Sequence, residues 1–193
     1  MLFEPALGEA RALYVCAHGA GGHMRDRAME AMAPRLRALG LDLVRFDFPY
    51  RTRGGRRPDP MPLLQESFGE AVEEIRRTHA PRRLILGGRS MGGRVATMLA
   101  AQGFACDALL LFAYPLHPDG KPEKLRAAHL PAIRVPVLCI NGTRDRLCRR
   151  DLMDAVVQTV TVPWRMHWIE GAGHSCHDVP QGQIQEWLDA LRW

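Results

Sequence analysis

The sequence has no run approaching the roughly 20 apolar residues that a bilayer-spanning helix needs. Its opening, MLFEPALGEARALYVCAHG, also lacks a basic stretch ahead of an apolar one. No membrane partner and no secretory leader are expected, and the reading is a cytoplasmic protein. The five cysteines (Cys16, Cys106, Cys139, Cys148 and Cys176) are unevenly spaced and include no C-x-x-C pair, which argues against a disulfide framework or a zinc ribbon. Lysine is nearly missing, since only Lys121 and Lys124 stand among the 26 basic residues. The formal charge of +5 is therefore an arginine excess, clustered once at Arg51, Arg53, Arg56 and Arg57. That cluster can attract an anion or be an ordinary solvated loop. No aromatics are interleaved with it to stack bases, so no nucleic-acid partner is expected. Internal repeats, low-complexity tracts and linkers are absent as well.

What is present is ordinary globular material. Apolar residues at 47% and charged residues at 24% match a folded domain, and 193 residues suit one domain, 1–193, with little room for a cap. Six short apolar runs read as strands: 12–18, 41–48, 82–88, 107–114, 135–141 and 164–170. Between them, 26–40, 63–80, 91–103, 149–160 and 179–193 carry apolar residues at helical spacing. This alternation predicts an α/β fold, a mostly parallel twisted sheet of about six or seven strands with helices on both faces. Pro34 predicts a kink or break near Ala33 in the first helix. The irregular stretch 48–62, rich in Pro, Gly and Arg, follows a strand and should lie on the rim where ligands bind.

Gly88-Arg89-Ser90-Met91-Gly92 follows one of these strands directly and opens a helix, the context in which G-x-S-x-G presents a nucleophile. Ser90 should sit on a sharp turn, where side chains at 88 and 92 would strike neighbouring backbone. Gly93 should let the new helix pack closely. A serine hydroxyl needs a base, and the base needs a carboxylate to hold its tautomer. Gly142-Thr143-Arg144-Asp145 and Gly171-Ala172-Gly173-His174 each follow a strand, giving Asp145 and His174 in the order Ser, Asp, His. Asp119 is an alternative acid, and His177, His117 and His129 are alternative histidines. A metal site from His174, Cys176 and His177 lacks a fourth ligand at a recognisable spacing, and no metal or cofactor is expected. The Met91 backbone N–H should be one oxyanion donor, at the positive end of a helix dipole. The loop His18-Gly19-Ala20-Gly21-Gly22 should supply the second, from Ala20 or, alternatively, Gly21. His18 itself reads as a structural hydrogen-bonder. Gly21, Tyr50, Arg51, Tyr114, Leu116 and His117 are the candidate substrate contacts, on the loops 48–62 and 114–131.

The stretches HGAGG, FDFPYR, GGRSMGGR, YPLHPDGKPEKLRAAHL, NGTRD and GAGHS together resemble a family of small α/β hydrolases. Its relatives are the testis-expressed hydrolase-like proteins and the hydrolase-like subunit of the NSL histone-acetyltransferase complex of animals. The resemblance runs from about residue 12 to the C-terminus, with YPLHPDGKPEKLR its most specific piece. It implies an α/β-hydrolase fold with minimal or no cap, similar to dienelactone hydrolases and compact esterases, with a triad falling on Ser90, Asp145 and His174. The expected activity is a serine esterase acting on a small-molecule ester or thioester. The alternatives are an acyltransferase using the same residues and a catalytically idle interaction module.

Overall fold

The computed structural model describes every residue except Cys176 and Arg192. In chain order the elements are β1 (Leu2–Glu4), β2 (Ala12–Ala17), α1 (Arg27–Arg37), β3 (Leu41–Phe46), α2 (Pro49–Thr52), α3 (Met61–His79), β4 (Leu84–Arg89), α4 (Met91–Ala101), β5 (Ala108–Phe112), β6 (Val137–Gly142), α5 (Arg150–Val157), β7 (Trp164–Ile169) and α6 (Gln181–Ala190). The strands form one seven-stranded sheet in the order β1-β3-β2-β4-β5-β6-β7. All neighbours are parallel except β1, which runs antiparallel to β3 with Phe3 opposite Val44.

The six expected strands form within two residues of their expected ends. Their continuous apolar runs follow from burial on both faces, as parallel sheets require. Leu13, Val15 and Ala17 of β2 join a core with Phe68 and Val72 of α3, Val95 of α4 and Met153 of α5. The alternate residues Tyr14 and Cys16 pack on the other face with Met29, Met32 and Leu36 of α1 and Ile184 and Trp187 of α6. The period of two along each strand thus separates two helical layers.

Three local expectations change. Helix α1 runs unbroken from Arg27 to Arg37 despite Pro34. The proline removes one N–H from the ladder, and the Ala38 N–H restores the pattern on Pro34 O at 3.0 Å. Buried Met29, Met32, Ala33 and Leu36 keep the stripe seated on the sheet. Within 48–62, read as irregular, Pro49–Thr52 coils into one turn and α3 already starts at Met61. Strand β1 was not expected, because three residues are too few to show a period. An ion pair holds it: Arg45, 1% exposed, reaches Glu4 at 2.6 Å and Glu30 at 3.1 Å.

Candidate active site

Parallel strands deliver the residues that follow their C-terminal ends to one edge of the sheet. Ser90 follows β4 there, and it adopts φ 48° and ψ −114°, outside the regions comfortable for any side chain-bearing residue. Its N–H bonds Phe112 O on β5 at 2.9 Å, and its carbonyl accepts from Arg94 N at 3.0 Å, inside α4. A Cβ at position 88 would stand 2.7 Å from Ala17 N, and one at 92 would stand 2.6 Å from the Ala17 carbonyl carbon and 2.8 Å from His18 O. Gly88 therefore lets the end of β4, and Gly92 the start of α4, meet the end of β2 this closely. Gly93 is less tight, its Cβ site lying 3.0 Å from Gly88 O.

Asp145 and His174 come to the same edge from β6 and β7. Their loops are locked together: Arg144 N bonds Ala172 O at 2.9 Å, and a Cβ on Gly142 would collide with Ala172. The Asp145 side chain is fully buried. One of its oxygens accepts from Leu147 N at 2.8 Å and the other from Asn141 Nδ2 at 3.3 Å. His174 Nδ1 lies 3.0 and 2.9 Å from the two carboxylate oxygens, and His174 Nε2 lies 2.9 Å from Ser90 Oγ. An ionised carboxylate only accepts, so Nδ1 carries the proton and Nε2 is left to accept from the serine hydroxyl. An imidazole held this way can take a proton from the oxygen as it attacks, and the carboxylate can stabilise the imidazolium.

The glycine-rich loop closes over the serine. A Cβ on Gly19 would lie 3.4 Å from Ser90 Cβ. His18 is fully buried, and burial pushes its pKa down, so it is neutral. Its Nδ1–H donates to Gly19 O at 2.7 Å while Nε2 accepts from Phe48 N at 3.2 Å. Gly22 N also donates to Gly19 O, at 3.0 Å. In a planar trans peptide the next N–H points opposite the carbonyl, so pinning Gly19 O fixes the direction of the Ala20 N–H. Among the described residues, neither that N–H nor the N–H of Met91 donates a hydrogen bond.

An open groove of about 540 Å³ runs past these groups and is lined by Ala20, Gly21, Arg27, Ser90, Leu147 and His174, among others. Of the expected substrate contacts Gly21 lines this groove, and the other five do not. Tyr50 is 2% exposed and donates its hydroxyl to Ala20 O at 2.8 Å, so it supports the loop from behind. Arg51, half-buried, donates through Nη1 to Gly55 O at 3.0 Å. Tyr114, Leu116 and His117 are buried. The Tyr114 hydroxyl bonds Arg126 O, and His117 Nε2 accepts from Arg149 N at 3.1 Å. The start of loop 114–131, residues 114–117, folds down onto the core, which is why the polar groups of Tyr114 and His117 are spent internally, while Asp119, Lys121 and Lys124 stay exposed.

The competing residues fall elsewhere. Asp119 pairs with Arg146 at 3.2 Å on the surface, and His129 bonds Thr97 Oγ1 at 2.9 Å. His177 does line the groove, against Arg89 rather than Ser90. Cys176, weighed with His174 and His177 as a metal ligand, lies outside the described residues. Two groups that sequence reasoning missed are Asn141 and Arg89. Asn141, 1% exposed, joins Asp145 to the Tyr114 backbone through Nδ2 and Oδ1. A polar residue near the end of an apolar strand, four before Asp145, was the available signal.

A family profile described as an alpha/beta hydrolase domain matches residues 10–186. Solved structures agree in fold. An α/β serine hydrolase homologue from Coxiella burnetii superposes with a TM-score of 0.78 at 21% identity, covering 97% of this chain and 88% of that one. Est1E from Butyrivibrio proteoclasticus, seen with ferulic acid bound, gives 0.77 at 17% identity, covering 99% and 92%. A lidless α/β serine hydrolase from Xanthomonas campestris gives 0.73 at 18%, covering 98% and 85%.

Proposed function

This chain belongs to the alpha/beta hydrolase domain family, and on that footing we propose that it is a serine hydrolase cleaving a small carboxylic ester or thioester through Ser90, His174 and Asp145. The observation that carries the reading is the unbroken relay from buried Asp145 through Nδ1 and Nε2 of His174 to Ser90 Oγ, each link 2.9–3.0 Å long.

In the first half-reaction His174 takes the Ser90 proton as Oγ attacks the substrate carbonyl. The tetrahedral oxyanion is received by the Met91 and Ala20 N–H groups, and α4 adds the positive end of its dipole. Collapse of the intermediate expels the leaving group, protonated by His174, and leaves an acyl-serine. Water, deprotonated by His174, then attacks the acyl carbon and releases the acid, returning the proton to Ser90. The open groove suits a short acyl group. The likeness to the lidless Xanthomonas hydrolase supports an uncapped site, and the other two structures support the fold. The finer kinship with the testis-expressed hydrolase-like proteins rests on the segment around YPLHPDGKPEKLR, whose His117 is buried here. We place the protein in the cytoplasm. The four described cysteines are free thiols, and burial pushes Cys16 up to about 11 and Cys106 up to about 12, keeping both protonated.

Labelling with a fluorophosphonate probe tests the mechanism, and a panel of chromogenic esters and thioesters then grades the acyl group. Wild type should label rapidly and Ser90→Ala should not. A folded wild type that labels no faster than Ser90→Ala overturns the reading.

A further inference from the structure

Among the described residues of segment 170–180, which carries His174, there is no helix or strand between β7 and α6. The bond from Arg144 N to Ala172 O ties this segment to the Asp145 loop ahead of His174, and Arg89 adds a second anchor at His174 itself. Arg89 occupies the last position of β4, immediately before Ser90, and is only 8% exposed. Its Nη2 donates to the main-chain carbonyl of His174 at 2.8 Å, and its Nη1 lies 3.3 Å from His177 Nδ1. The two contacts span 85 and 88 positions of sequence and hold the loop at His174 and again at His177.

We propose that Arg89 is a positioning residue: by gripping the main chain of His174 from the strand that bears Ser90, it sets where the imidazole stands relative to the nucleophile. This rests on the serine-hydrolase reading. A guanidinium suits the task because its planar fork presents several donors in fixed directions and reaches two acceptors at once. A lysine, with one compact charge, can keep the carbonyl contact but not both. His177 is exposed, and slight desolvation, with Arg89 and Arg27 nearby outweighing Asp26, shifts its pKa down; in the tautomer that carries its proton on Nε2, Nδ1 can accept from Arg89. Among the described residues its hydrogen bonds go to the His174 carbonyl and to His177, so it acts on the imidazole through the backbone of His174.

The test uses the full chain with Arg89→Gln, Arg89→Lys and Arg89→Ala. With p-nitrophenyl acetate, Arg89→Gln should lower kcat about 30- to 100-fold, the scale set by a misplacement near 1 Å, with KM changed less than about threefold. Arg89→Lys should recover part of the loss, and added guanidinium ion at non-denaturing concentration should raise kcat of Arg89→Ala. In proton NMR the deshielded His174 Nδ1–H, bonded to Asp145 in wild type, should broaden or vanish in Arg89→Gln. Unchanged kcat and an unchanged His174 resonance in folded Arg89→Gln overturn the proposal. A parallel rise in KM, with no rescue of Arg89→Ala by guanidinium, also overturns it. If Arg89→Gln does not fold, Arg89→Lys carries the same readings, with a loss of about 5- to 10-fold expected. A wild type that turns over no ester or thioester and labels no faster than Ser90→Ala refutes the serine-hydrolase reading, while the NMR comparison still decides whether Arg89 places His174.

Discussion

Replacing Ser90 by glycine should give a more stable protein than replacing it by alanine. Both variants lose the hydroxyl and its contact with His174, so the difference between them isolates the Cβ. At φ 48° and ψ −114° a residue with a Cβ is strained by about 2 kcal/mol, within the range of 1–3 typical of such outliers. Glycine returns about 0.7 kcal/mol of that through the greater freedom of its unfolded chain. A few tenths more are lost with the half-buried methyl, since a fully buried one is worth about 0.8 kcal/mol. About 1 kcal/mol should remain in favour of Ser90→Gly. With a urea m-value near 2 kcal/mol/M, the unfolding midpoint of Ser90→Gly should lie about 0.5 M above that of Ser90→Ala at equal m. Its melting temperature should be about 3 °C higher. Neither variant should label with fluorophosphonate. A midpoint for Ser90→Gly equal to or below that of Ser90→Ala refutes the argument that the elbow stores strain to expose its nucleophile.

Gly92→Ala should cost at least about 2 kcal/mol in chemical denaturation and abolish probe labelling, because the new methyl meets backbone that cannot rotate away. Gly182→Ala, with nothing within 4 Å of the added Cβ, should be neutral or stabilising in the same experiment. Asp145→Asn should reduce ester turnover about 10³- to 10⁴-fold with the fold intact, since an amide N–H facing Nδ1 forces the other tautomer and leaves Nε2 unable to accept the serine proton. Stopped assays on purified variant and wild type measure this directly, and a drop under tenfold contradicts the assigned role. For stability against pH, burial and then nearby Arg94 push His129 from an ordinary 6.5 to about 4. As pH falls through that window the unfolded chain takes the proton first, so stability present above pH 6.5 is lost progressively towards pH 4. Partial exposure of the ring reduces the effect from the full shift to about 2 kcal/mol. Urea titrations across that range should show the decline, and His129→Gln should flatten it.

The sequence by itself determined the features whose physics is local. Six apolar runs bounded by turn residues gave the parallel strands within two residues of their ends. Glycines at 88 and 92 marked an elbow because a side chain at either position strikes neighbouring backbone. The order of strand-end motifs placed Ser90, Asp145 and His174 on one edge because parallel strands all finish there. What only the tertiary structure decided depends on contacts between distant segments. Tyr50, Tyr114 and His117 look like exposed loop groups in sequence, yet packing turns them inward and spends their polar atoms on backbone. Arg45 makes a three-residue edge strand possible across 41 positions. Arg89 and Asn141 become supports of His174 and Asp145 only after the chain closes. No periodicity records such pairings, because a buried hydrogen bond is set by which backbone group the fold brings opposite a side chain, and that is a property of the whole packing.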